Sequence, residues 1–313
     1  MLDLPRVLLA VSLVLTIINI IIGFWYIQIR RDVTIVRTKG SVILSIVILL
    51  IMVSLSIAYI ILLAEGISNI KIARGAIGYS ILMILFSTWA FLHMEALKQR
   101  AMEILETIIS ILEVENSNLD GHSLHVHNLT MLLYDYLPYR MKWKINPVNL
   151  SYASLLIDLG KLGVPARVLN KTGKLLSDEW ALMKRHPEIS ARIFEPIRDF
   201  DAIRDWILYH HERMDGNGYY RKNGEEIPLA ARLITVADTY SSITMVRSFK
   251  PTLSYADAII ELILAAGSQL DPEIVEYFCR IPKNQVDACF EDVRSRMARF
   301  EAEGFRREQE TGD

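Results

Sequence analysis

The chain has 313 residues, of which 52% are hydrophobic and 22% charged, with a mean hydropathy of +0.27. This balance excludes a disordered, collagen-like or disulfide-stapled chain. It is too apolar for an ordinary soluble enzyme and too polar for a membrane protein throughout. Residues 1–93 hold seven Lys/Arg and three acids, which leaves 27 of the 34 basic and 33 of the 36 acidic residues for the remainder. The acidic remainder argues against nucleic acid as a partner. Cys279 and Cys289 form neither a disulfide framework nor a metal-binding spacing and fit a reducing compartment.

Three uncharged runs, Val7–Ile29, Ser41–Ala64 and Gly75–Leu92, approach the roughly 20 apolar residues that a spanning helix needs. The exit of the first, GFWYIQIRR, offers no small-residue cleavage site, so an anchor rather than a signal peptide is expected. Arg30, Arg31, Arg37, Lys39, Lys98 and Arg100 outnumber Arg6, Lys71 and Arg74 on the opposite side. By the positive-inside rule this places the first loop and the C-terminal domain inside. The expectation is a multi-pass inner (plasma) membrane protein with the lipid bilayer as partner, a membrane region over 1–93 and a cytoplasmic C-terminal domain.

A helical linker is expected over 94–116. Leu97, Ala101, Ile104, Ile108 and Ile111 step in a heptad-like seam. The seam could pair two chains in a parallel homodimer, or pack the first helix on its own domain. Beyond residue 117, HVHNLTMLLYDYL, SDEWALMKRHPEISARIF, AIRDWILYHHERM, LAARLITVADTYSSI and YADAIIELILAAG carry apolar positions at helical spacing. Ser177 is a candidate N-cap, and Gly216, Gly218 and Pro228 mark loops. No alternating strand pattern of useful length occurs. The fold class is all-α: three transmembrane helices, then a helical domain over 117–290 and a charged tail over 291–313.

Six histidines fall in this half: His122, His125, His127, His186, His210 and His211. Asp158 and Asp238 lie within apolar helical text, in LLIDLGK and ITVADTY, where a carboxylate is costly to bury unless it is paired or binds a metal. Taken singly, each is more often an ion-paired or satisfied core residue than a ligand. The adjacent pair His210-His211 is less ordinary, because neighbours on a helix point about 100° apart and can serve two centres.

In order along the chain, GHSLHV, IDLGKLGVP, LNKTGKLLSDEWALMKRHPEIS, HHERMDGNGYYRKNGEEIPLAARLITVADTY and AGSQLDPEIV resemble the HD-GYP group of HD metal-dependent phosphohydrolases. The resemblance covers about residues 117–275. It implies a helical domain holding two or three metal ions, usually iron or manganese, that activate water to hydrolyse cyclic di-GMP. Carried over by motif position, the metal ligands are His122, Asp158, His186, His210, His211 and Asp238, with Asp158 bridging. Lys161 would face a phosphate or the attacking water, and Tyr219 would line the substrate pocket. Arg247 and Lys250 would grip the phosphates of the cyclic dinucleotide. Four positions depart from the pattern. Ile157 replaces the histidine of the HD pair, Ser241 replaces an aspartate, Tyr220 replaces the GYP proline, and Asn118 stands where some members have a carboxylate. The resemblance thus implies a cyclic di-GMP phosphodiesterase with a weakened metal position. A degenerate cyclic di-GMP sensor and a protein-interaction scaffold are the alternatives.

Overall fold

The computed structural model describes residues 70–114, 121–171, 173–197, 200–245 and 252–311, together with 4, 7–8, 10–18, 20–21, 58 and 61. Among the described residues every regular element is helical, apart from an isolated bridge between Ala266 and Leu270. The chain divides into two compact units, 1–101 and 102–313.

In the first unit, the Ser80 hydroxyl lies 2.9 Å from that of Ser12 and 3.1 Å from that of Thr16, all three buried. The membrane expectation is corrected here. Among the described residues no helix is long and apolar enough to cross a membrane. Gly75–Leu92 belongs to helix α1, Ile70–Val114. Its 18 uncharged residues rise only about 27 Å as a helix, short of a hydrocarbon core of about 30 Å. Tyr79, Ser80, Ser87 and Thr88 interrupt its apolar character. The first expected span is described only in part, and of the second only residues 58 and 61 are described. The multi-pass inner-membrane placement and the bilayer as partner therefore do not stand.

The second unit is built around α2, His122–Tyr136, whose residues 122–127, 129, 130 and 133 are all buried. A short α3, Tyr139–Lys142, leads to α4, Pro147–Leu156. Asn146 starts α4 by accepting from the backbone N–H groups of Val148 and Asn149, and Pro147 follows at the first helical position, where its missing N–H is not needed. A 3₁₀ turn, Leu159–Gly163, and α5, Ala166–Leu169, precede α6, Ser177–Met183, α7, His186–Ile193, and α8, Asp201–Leu208. Ser177 is the first residue of α6 rather than its cap. Leu176 holds the cap position, and its N–H donates to the Glu179 carboxylate. Next come α9, Leu229–Thr244, and α10, Tyr255–Ala265. The last helices are α11, Pro272–Cys279, capped by Asp271, and α12, Lys283–Thr311. α12 continues through the expected start of the tail, and its Val293 and Met297 are buried.

α2 packs against α4, α9, α11 and α12. Leu129 and Leu133 of α2 meet Leu150 and Leu155 of α4, Ile203 and Ile207 of α8, Leu233 and Ile234 of α9 and Phe278 of α11 in one continuous core. From α1, Met102, Leu105 and Ile109 pack on this core. The heptad-like residues Ile104, Ile108 and Ile111 are exposed instead, so the seam is not what seats α1 on its domain.

Each fully buried leucine contributes on the order of 1.5–3 kcal/mol by leaving water. Leu129→Ala also opens a cavity and is expected to lower the unfolding free energy by about 2–5 kcal/mol. Urea denaturation checks this, and a loss below about 1 kcal/mol would show that α2 is not the centre of the core.

Candidate metal centre

Asp158 follows α4 directly, at φ −97° and ψ 0°, where the helix gives way to the 3₁₀ turn. The turn lies against α7 so closely that a Cβ on Gly160 would stand 2.0 Å from the His186 carbonyl oxygen and 2.6 Å from Ser190 N. The Gly160 N–H donates to Ser190 Oγ at 2.7 Å, and Ser190 Oγ donates to the Ile157 carbonyl at 2.8 Å. This buried stitch sets Asp158 beside His186, the first residue of α7.

Six expected ligands lie in one cluster. His122, the first residue of α2, points Nε2 at Asp238 Oδ1 (3.0 Å) and Asp158 Oδ2 (3.5 Å). His186 Nε2 lies 3.4 Å from Asp158 Oδ1. The rings of His210 and His211 are 4.0 Å apart, and those of His186 and His211 5.0 Å. Ligand nitrogens of His186, His210 and His211 all fall within 4.8 Å of one another. Lys161, expected to face a phosphate or the attacking water, lies 2.6 Å from Asp158 Oδ2 and supplies positive charge to that buried carboxylate. Tyr219 lies over His211, with ring centroids 4.8 Å apart, and the Lys184 ammonium sits 5.3 Å from the centre of the Tyr219 ring. Arg247 and Lys250 lie outside the described residues.

The donor set fits a cation. His186 Nδ1 faces the Met183 carbonyl at 2.8 Å and His210 Nδ1 the Ile207 carbonyl at 2.6 Å. Those contacts place each ring proton on Nδ1 and leave Nε2 as a lone pair. Both Nε2 atoms are buried without a hydrogen-bond partner. Orientation of a ligand imidazole by a backbone carbonyl is the usual arrangement behind a metal site.

The protonation states agree. Burial lowers His186 to about 4, overriding the nearby Asp158 charge that would raise it. Burial, helped by His210, holds His211 well below its ordinary value. Burial would raise Asp158, but Lys161 and the imidazoles of His186, His122 and His210 outweigh it and hold the carboxyl well below the usual range. Asp238 is likewise held low, the hydrogen bond from His122 outweighing burial. Neutral imidazoles beside ionised carboxylates form a set ready to bind metal near neutral pH. Burial and the two carboxylates push the Tyr219 phenol up to about 12, so it stays a neutral donor.

Four supporting residues are not among the site residues expected from the sequence. Ser190 makes the stitch described above. Ser241 Oγ lies 2.9 Å from both His122 Nδ1 and His125 Nδ1. Glu212 is buried and accepts from the N–H groups of Tyr220 (2.7 Å) and Lys222 (2.6 Å), which fixes the loop carrying Tyr219. A Cβ on Gly218 would come within 2.6 Å of Glu212 Cα. The sequence marks Ser241 as a departure from an aspartate and Gly218 as a loop residue, and it singles out neither Ser190 nor Glu212.

A family model described as "HD domain" matches residues 106–274. Relatives include a cyclic di-GMP phosphodiesterase of Vibrio cholerae, 32% identical over 58% of this chain and 39% of its own. Another is a cyclic di-GMP phosphodiesterase of Pseudomonas aeruginosa, 40% identical over 41% of this chain and 31% of its own. A 3'3'-cGAMP-specific phosphodiesterase of Vibrio cholerae is 34% identical over 40% of this chain and 24% of its own. The chain thus spans less than half the length of each of these relatives.

A histidine buried as the neutral form has a lower pKa folded than unfolded, so the unfolded chain binds more protons between the two values and folding weakens as pH falls. The metal-free protein is therefore expected to lose stability as pH drops from about 6.5, the unperturbed histidine value, toward about 4. His186→Gln should flatten that slope. Urea midpoints across this range check it, and an unchanged slope would count against a neutral buried His186.

Proposed function

The chain belongs to the HD-domain family, and we propose that it is a metal-dependent phosphodiesterase that hydrolyses cyclic di-GMP in second-messenger signalling. The observation that carries this reading is the convergence of bare imidazole nitrogens on His186 and His210 with the carboxylates of Asp158 and Asp238. Bound divalent ions, iron or manganese by the resemblance, would supply polarisation of a phosphoryl oxygen and activation of water. His122, Asp158, His186, His210, His211 and Asp238 would hold them.

The rest of the chemistry belongs to the chain. Asp158 presents one oxygen toward His122 and the other toward His186, the disposition a bridging carboxylate needs. Lys161 donates to the first of these oxygens and would contact a phosphate bound beside Asp158. Tyr219, neutral and held over His211 by the Glu212-anchored loop, would wall the pocket and donate from its phenol. In this reading Arg247 and Lys250 bind the dinucleotide phosphates.

Ile157 is fully buried within the apolar core and offers no lone pair, so the proposed catalyst works with one ligand fewer. Six ligand-type side chains within one cluster support turnover over a sensor or scaffold role.

The test is hydrolysis by the full chain loaded with Mn²⁺ or Fe²⁺. Cleavage of cyclic di-GMP is expected, lost on chelation and abolished by Asp158→Ala. Cleavage of 3'3'-cGAMP alone would move the substrate assignment, and metal binding without any cleavage would leave the sensor reading.

We further propose pairing of two chains through α1. Ile104 is 62% exposed, and Ile108 and Ile111 are about half exposed on the same stripe. Replacing Ile104 and Ile108 by glutamate should release monomers without lowering the melting temperature of the domain. A variant as dimeric as the parent in light scattering would discard this interface.

A further inference from the structure

Ser241 is buried on α9, and its hydroxyl stands between two histidines of α2, 2.9 Å from His122 Nδ1 and 2.9 Å from His125 Nδ1. A hydroxyl has one proton and two lone pairs, and among the described residues these two ring nitrogens are the partners of Ser241 Oγ, so its proton is satisfied only when it donates to one ring and accepts from the other. Which way it points decides the tautomer of both rings. His122 Nε2 faces Asp238 and Asp158. With no cation present, Nε2–H donates to Asp238, Nδ1 is bare, and Ser241 donates to it. His125 must then donate to Ser241 from Nδ1, which leaves its buried and unpartnered Nε2 without a proton. To ligate a cation, His122 needs a bare Nε2 and a proton on Nδ1. That N–H has an acceptor in Ser241 only if the hydroxyl turns its own proton to His125 Nδ1. His125 then carries its proton on Nε2, in a ring whose centroid lies 5.8 Å from that of Phe290, and an N–H near an aromatic ring is a weak donor contact. Each arrangement distributes three protons over His122, Ser241 and His125, so the change alters no net charge.

We propose that Ser241 is a positioning residue of the metal centre: its hydroxyl reverses between His125 and His122 and lets His122 present a bare Nε2. The proposal rests on the metal-centre reading above. It predicts tautomers, which a merely space-filling serine would not set.

Two measurements on the full chain test it. In the ¹⁵N-histidine-labelled protein, titration with Zn²⁺ as a diamagnetic probe should move the His122 proton to Nδ1 and the His125 proton to Nε2 together. Calorimetric Mn²⁺ affinity should fall about 10–100-fold in Ser241→Cys, which keeps the volume but bonds weakly, as is usual for loss of a group that orients a ligand. Ser241→Thr, which restores the hydroxyl, should recover most of it. A His125 that keeps its proton on Nδ1 in the loaded protein, or a Ser241→Cys variant that binds Mn²⁺ as tightly as the parent, overturns the role of Ser241 and leaves the metal centre intact. A parent protein that takes up neither metal overturns the metal-centre reading itself, and this proposal with it.

Discussion

A carboxylate that ends an apolar helix with 4% of its surface exposed has to be neutralised, and the architecture of the second unit follows from how Asp158 is neutralised. Water cannot do it at that depth, and an unpaired buried charge costs several kcal/mol. Four elements therefore converge on one point. α2 brings His122, the 3₁₀ turn brings Lys161, α7 brings His186, and α9 brings Asp238 as the second acid facing His122. The apolar core behind them, from Leu129 to Phe278, keeps these helices from relaxing away from the charge.

That convergence demands close backbone approach. Gly160 permits the turn to lie against α7 where a Cβ would stand 2.0 Å from a carbonyl oxygen, and Ser190 converts the contact into two hydrogen bonds. On the other side, Glu212 turns a charge that would otherwise be unpaired into the anchor of the 212–222 loop. In both places a polar side chain satisfies backbone groups that tight packing has cut off from water. The result is a cluster in which the unpartnered Nε2 atoms of His186 and His210 lie among imidazoles whose nitrogens fall within 4.8 Å of one another.

Much of this was legible in the sequence. The helical periodicity gave the fold class, and the ordered motifs placed His122, Asp158, His186, His210, His211 and Asp238 in one site, because each sits at a helix end or a helix face with a strict neighbour pattern. Residues that act through long-range contacts were not legible in the same way. Ser241 touches His122 across 119 positions and Ser190 reaches Ile157 across 33; the motif marks Ser241 only as a departure from an aspartate, and nothing local marks Ser190. The apolar runs misled for a different reason: hydropathy counts residues that avoid water without saying how they are satisfied, and in the third run Ser80 is spent on Ser12 and Thr16. The heptad-like seam left two readings open, and the exposure of Ile104, Ile108 and Ile111 leaves pairing of two chains as the one proposed. Met102, Leu105 and Ile109 share the same helix with a shifted register, and they are the residues that seat α1.

Ile157 shows why a lost ligand need not dismantle such a centre. The boundary between core and site runs between two consecutive residues, Ile157 wholly within the apolar cluster and Asp158 within the polar one. What fixes the backbone at this boundary is the hydrogen bond from Ser190 to the Ile157 carbonyl, which is indifferent to the side chain at 157. Isoleucine there adds to the apolar core that continues from α4. The framework that orients Asp158, His186 and His122 therefore does not need a histidine at 157. By the resemblance the substitution costs one ligand, while the six ligand-type side chains are held by partners other than residue 157.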